Sequence, residues 1–210
     1  MPHSLVIFDL DGTLVDSLPW FLRTVNDVAN RFRFRRVAEE DVESLRHASS
    51  RDILAYLRVP LWKLPSITRH MRKLKADAAA DIELFDGVDA MLRSLAASGV
   101  QLALVSSDSE TNAKRKLGDL AALFSYFDCS ASLFGKSAKF RRVIRRAGVD
   151  PADVIAIGDE IRDIEAANAT GMDSGAVAWG YTRPAALQAA RPTHLFNSIE
   201  EVTQRLALTR

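Results

Sequence analysis

The sequence predicts a doubly wound α/β fold interrupted early by an all-helical insertion. Three observations predict it. Short, almost continuously apolar runs recur along the chain, amphipathic helical patterns separate them, and residues 16 to 86 break that alternation. Runs apolar on both faces suit strands of a parallel sheet covered by helices on either side. Alternating strands and helices build a doubly wound sheet, whose ligands sit beyond the carboxyl ends of the strands.

The first run is SLVIFDL (4–10). From 16 to 86 no strand pattern is convincing; helical patterns such as SLPWFLRTVNDVANRF (17–32) and RDILAYL (51–57) run through the stretch, with prolines at 60 and 65. FDGVDAMLRSL (85–95) returns the chain to the α/β rhythm, with Val88, Met91, Leu92 and Leu95 at i, i+3, i+4 and i+7. VQLALVSS (100–107) is the next strand and SYFDCS (125–130) a weaker one. Phe140, Val143, Ile144 and Ala147 repeat the helical spacing and stop at Gly148, a plausible C-cap. DVIAIGD (153–159) and SGAVAWG (174–180) complete the strands. The predicted organisation is therefore a core of 1–15 and 87–210, with 16–86 inserted.

Bulk properties narrow the class. The 210 residues are 48% hydrophobic and 26% charged, an ordinary globular balance, and the net charge of +1 names no partner. The single cysteine, Cys129, has no internal disulfide partner and fits a reducing compartment. No apolar run reaches the ~20 residues of a membrane span, and the N-terminus lacks a signal-peptide pattern, so the expectation is a cytoplasmic protein without a membrane partner. Near-neutral charge is compatible with a monomer or a homodimer.

The chemistry concentrates at strand ends. VIFDLDGTL (6–14) closes a strand with Asp9 and Asp11, which share a side if the extended geometry persists, and Gly12 permits a turn. Two carboxylates so close repel unless a cation intervenes or one is protonated. Either a divalent metal neutralises them, or one is a nucleophile and the other an acid; phosphoryl transfer uses both. Asp-Gly is also ordinary turn chemistry. Ser106 and Ser107 end the second long run, where hydroxyls and backbone N–H groups hold an anion or cap the next helix. IGDEIRD (157–163) places Asp159 at a third strand end and Asp163 one turn further on. Asp159 is a hard-cation ligand or an N-cap. Lys136, just before the 140–147 helix, could reach a phosphate, with Lys139 as its rival.

In this order the pieces resemble the haloacid dehalogenase-like hydrolase superfamily. DLDGT (9–13) is similar to its first motif, Ser106 to its second, Lys136 to its third and GDEIRD (158–163) to its fourth. VIFDLDGTLVDS (6–17) looks most like the phosphoglycolate phosphatase branch, and the insertion falls where one class carries a helical cap. The resemblance implies a Rossmann-like core and a phosphatase acting on a small phosphorylated metabolite. It implies Asp9 as nucleophile forming an aspartyl-phosphate and Asp11 as acid and then base. It further implies Mg²⁺ on Asp9, the Asp11 carbonyl and Asp159, with Asp163 and Thr13 supporting the site, and Ser106, Ser107 and Lys136 on the phosphoryl oxygens. Lys136 precedes Asp159 by 23 positions, near the family's usual interval. GKSAKF departs from the KP-x-P form common in that branch. Asp11 stands where dehalogenases carry an aromatic residue, which disfavours dehalogenation.

Residues 23 to 75 hold 13 Lys/Arg and 6 Asp/Glu, so the insertion is basic enough to draw in an anion, although most such charges simply face solvent. RFRFRR (31–36) is too short, in a near-neutral chain, to predict nucleic-acid binding. In HASSRDIL (47–54), Ser49 or Ser50 can cap a helix opened by Arg51, and Ser-Ser-Arg-Asp reads as plain capping chemistry; the resemblance, to caps whose loop near this position closes over the substrate, implies instead that Arg46 or Arg51 touches the leaving group. A phosphotransferase or mutase, which passes the phosphoryl group to another hydroxyl, and a non-catalytic binding protein are the competing classes.

Overall fold

The computed structural model describes residues 3–129 and 135–207. Strand β1 (Leu5–Phe8) leads into the insertion, which contains α1 (Leu18–Phe32), α2 (Val42–Leu45), α3 (Ser50–Tyr56) and α4 (Leu64–Asp77). Then follow α5 (Val88–Ala97), β2 (Gln101–Ser106), α6 (Glu110–Leu117), β3 (Phe124–Cys129) and α7 (Lys136–Ala147). The chain continues through β4 (Val154–Gly158), α8 (Ile161–Asn168), β5 (Asp173–Val177), α9 (Pro184–Ala189), β6 (His194–Phe196) and α10 (Ile199–Ala207).

The strands form one parallel sheet in the order β3-β2-β1-β4-β5-β6. This is the doubly wound order, with its topological switch between β1 and β4, where the fold opens a crevice for ligands. The pleat sorts the core. Val6 and Phe8 of β1, with Leu102 and Leu104 of β2, face a cluster with Leu92, Leu95 and Val202. Leu5 and Ile7, with Ala103 and Val105, face Phe140, Val143 and Ala167. Helices α5 and α10 therefore cover one face, and α7 and α8 the other. Each strand is apolar on both sides because each side meets a helix layer.

The insertion leaves and rejoins the core through a two-chain neck. Asp16 N–H donates to the Glu83 carbonyl at 2.9 Å, and Phe85 N–H donates to the Leu14 carbonyl at 3.0 Å. Among the described residues no strand lies between 16 and 86, and no helix is long and apolar enough to cross a membrane.

Several boundaries differ from the sequence expectation. Helix α7 opens at Lys136 rather than near residue 140, because only its second half carries the apolar spacing; Gly148 ends it as predicted. The weak SYFDCS run is a strand, β3, whose predicted last residue, Ser130, lies outside the described residues. The three-residue β6 was not expected; so short a run carries no readable period. Leu92 is fully buried in the larger cluster. Leu92→Ala should cost about 2–5 kcal/mol of unfolding free energy, read as a lowered urea midpoint with an unchanged slope.

Candidate active site

Strands β1, β2 and β4 all end on the same edge of the sheet, and their next residues carry the site. Asp9 N–H still pairs with the Ile157 carbonyl at 2.9 Å, so Asp9 and Asp159 project from adjacent strand ends across the switch crevice. Both are buried, Asp159 completely. Asp163 joins them from the first turn of α8, and one oxygen from each of the three carboxylates falls within 4.8 Å of the others.

Two glycines make this approach possible. Gly12 sits at φ 74°, and a Cβ there would overlap the Asp159 carboxylate. A Cβ at Gly158 would overlap Asp163 in the same way. Around Asp159, Thr13 Oγ1 donates to Oδ1 at 3.0 Å and Tyr181 N–H donates to Oδ2 at 2.8 Å. Glu160, not Asp159, is the N-cap of α8. Its backbone N–H donates to Asp163 Oδ2 at 3.1 Å, which leaves Asp159 available to the crevice.

Lys136 is the counter-ion. Its Nζ lies 2.9 Å from Asp9 Oδ2 and also bonds Asp163 Oδ1. Burial pulls its pKa down, but Asp163 and Asp9 outweigh that, and the ammonium is held above its ordinary value. Burial pushes the Asp9 carboxyl up, yet the charges of Lys136 and Arg162 overcome it and leave it below the ordinary aspartate value. Asp159 has no such partner. Burial, followed by the charges of Glu160, Asp163 and Asp9, drives it well above the ordinary value. Burial also raises Asp163, partly opposed by Lys136. Three converging carboxylate oxygens with an excess of negative charge match a hard divalent cation.

Lys139, the rival lysine, points elsewhere. It is buried, donates to the Ser106 carbonyl at 2.6 Å, and is lowered to about 8, chiefly by burial. Ser106 Oγ accepts from Asp108 N–H at 3.0 Å. Neither Ser106 nor Ser107 caps a helix; Ser109 caps α6.

The carboxylate of Asp11 takes a different partner from Asp9. Lys75, from α4 of the insertion, places Nζ 2.6 and 2.7 Å from its two oxygens and 2.9 Å from Asp108 Oδ2. Arg72, one turn earlier, donates from Nε to the Ser107 carbonyl at 2.9 Å. Arg46 donates to the Gly180 and Tyr181 carbonyls at 2.8 and 2.9 Å. Ser50 Oγ donates to Glu160 Oε2 at 2.6 Å. Arg51 is exposed in the first turn of α3, whose N-cap is Ser49 in a capping box with Asp52. A cavity of about 340 Å³ runs from Asp11, Ser107 and Asp108 up between the inserted helices; Arg46 lines it and Arg51 does not.

Sequence reasoning missed Lys75, Asp108 and Arg162. Lys75 is one of several cations on an exposed amphipathic helix, with no local mark. Asp108 did carry a signal, since an acid directly after the paired serines at a strand end is placed toward the same crevice. Arg162 lies inside the quoted IGDEIRD, where the acids drew the attention.

Known proteins resemble this chain in sequence and in fold. A family model described as haloacid dehalogenase-like hydrolase matches residues 6–177. A phosphoglycolate phosphatase of Synechococcus elongatus is 33% identical over 201 residues, covering 95% of each chain. One of Xylella fastidiosa is 31% identical over 191 residues, covering 84% of this chain and 80% of that one. A predicted phosphatase from Clostridium acetobutylicum superposes with a TM-score of 0.83 at 23% identity, covering 98% of this chain and 99% of that one.

The raised Asp159 gives a stability prediction. The folded state holds this proton above the unfolded pKa, so stability is lost as pH rises from the ordinary aspartate range through the folded value. In EDTA at neutral pH, Asp159→Asn should therefore melt higher than the parent, and the gap should close as pH falls toward 4. A lower melting temperature for the variant at neutral pH would contradict it.

Proposed function

The chain belongs to the haloacid dehalogenase-like hydrolase family and acts as a phosphatase on phosphomonoesters; we propose that it does so with Mg²⁺ and through an aspartyl-phosphate on Asp9, using a small phosphorylated metabolite. The observation that carries this reading is the position of Asp9. Its buried carboxylate ends the central strand, 2.9 Å from the Lys136 ammonium and beside Asp159 and Asp163, while Asp11 stands apart with a partner of its own. Asp9 and Asp11 thus keep separate partners and do not compete for one cation.

Asp9, kept ionised by Lys136 and Arg162, attacks phosphorus; a bond forms from its carboxylate oxygen as the ester oxygen leaves. Asp11 gives the leaving oxygen a proton. It then takes one from the water that attacks the aspartyl-phosphate, releasing phosphate and restoring Asp9. Lys136 and the Ser106 hydroxyl hold the phosphoryl oxygens, with the Ser107 region adding donors. Asp9, Asp159 and the Asp11 carbonyl would hold Mg²⁺, with Asp163 adjoining. When bound, the ion neutralises the crowded carboxylates and the phosphoryl charge. Thr13 braces Asp159. Residues 16–86 serve as the cap, bringing Lys75 and Arg72 over the site.

The test is phosphate release from phosphoglycolate and other small phosphomonoesters, with Mg²⁺ or EDTA. Parent activity should vanish in EDTA, and Asp9→Asn should lose about 10³-fold or more. Phosphate appearing on an added acceptor, rather than in water, would favour a transferase instead. Activity indifferent to both EDTA and Asp9→Asn would refute the mechanism. Independently of turnover, Mg²⁺ at about 100 times its Kd should stabilise the parent by about 2.7 kcal/mol, and Asp159→Asn by much less.

A further inference from the structure

The α3 and α4 side of the insertion is poorly filled. No residue of α3 or α4 is fully buried, although both carry apolar side chains on their inner faces. Ile53, Leu54, Ile67 and Met71 are only half-buried and, with Val25 and Val28 of α1, wall the 340 Å³ cavity. Protein interiors ordinarily close such a space, and one of this size lies in the range of small-ligand pockets. An aliphatic cavity is poorly wetted and takes apolar ligands. Its other end is the site itself, since Asp11, Ser107 and Asp108 line the same space.

The cations along this cavity are already engaged within the protein. Arg46 bonds two carbonyls, Arg72 the Ser107 carbonyl, and Lys75 both Asp11 and Asp108. Arg162 pairs with Glu160, and its buried Nε has no hydrogen-bond partner among the described residues. Arg162 lines the same cavity. The rest of the wall is mainly carbon, with Ser50, Thr68, Thr182 and Glu160 also lining it.

We infer that the preferred substrate is a phosphomonoester whose leaving group carries an apolar body of several carbons, seated among Val25, Val28, Ile53, Leu54, Ile67 and Met71. The inference rests on the phosphatase reading and refines its substrate. A short acid such as glycolate would leave the aliphatic wall untouched.

The experiment is phosphate release with Mg²⁺ from ethyl, butyl and hexyl phosphate and from phosphoglycolate, using the parent chain. The expected result is kcat/KM rising about fourfold per added methylene, equivalent to ~0.8 kcal/mol of burial. A rise below about twofold per methylene, or phosphoglycolate outrunning hexyl phosphate by tenfold, would overturn the inference and leave the phosphatase reading intact. No release from any member would sink both. Ile67→Trp, which fills the cavity, should flatten the chain-length dependence; an unchanged slope in this variant would also count against the inference. The parent series is decisive even if that variant does not fold.

Discussion

Everything at this site answers to the crowding of carboxylates at the ends of β1 and β4. Asp9, Asp159 and Asp163 are brought within a few ångströms of one another in a buried crevice, with Glu160 beside them. Such an arrangement is unfavourable by itself, since each charge is both desolvated and repelled. It persists because the backbone is built around it. The parallel register of β1 and β4 fixes two of the acids, the first turn of α8 fixes the third, and Gly12 and Gly158 remove the side chains that would hold them apart. Lys136 offsets part of the charge from the first turn of α7, which makes that helix start an electrostatic component of the site.

The charge balance divides the acids by role. Asp9 has a buried ammonium and falls below its ordinary pKa; Asp159 has hydrogen-bond donors but no ion pair among the described residues, and rises far above its own. The charges of Lys136 and Arg162 on Asp9 supply the difference between them. A divalent cation beside Asp159 would remove the penalty that Lys136 does not reach.

Much of this was legible in the sequence, and the reasons are physical. Buried parallel strands must be apolar on both faces, so β1, β2, β4 and β5 stood out as continuous runs, and an acid at the end of such a run is conspicuous. Asp9, Asp11, Asp159 and Asp163 were readable for that reason. Lys136 was distinguished from Lys139 only by spacing within a resemblance; the coordinates add that Lys139 turns to the Ser106 carbonyl. What could not be read was the reach of the insertion. Lys75 meets Asp11 across 64 positions, and its sequence neighbourhood, MRKLKAD, describes only an amphipathic surface helix. Contacts of that range depend on where a helix is docked, and periodicity carries no information about docking.

The docking of α4 links the two halves of the site. The helix turns its basic residues Arg72 and Lys75 down onto Ser107, Asp11 and Asp108, while Ile67 and Met71 face the cavity above. Ion pairs and hydrogen bonds therefore hold it to the core at one end, and its apolar side chains are left half-packed at the other. A helix secured in this way does not need the cavity closed in order to stay in place. The apolar side chains of α3 and α4 are left half-packed without loosening the ionic contacts below them.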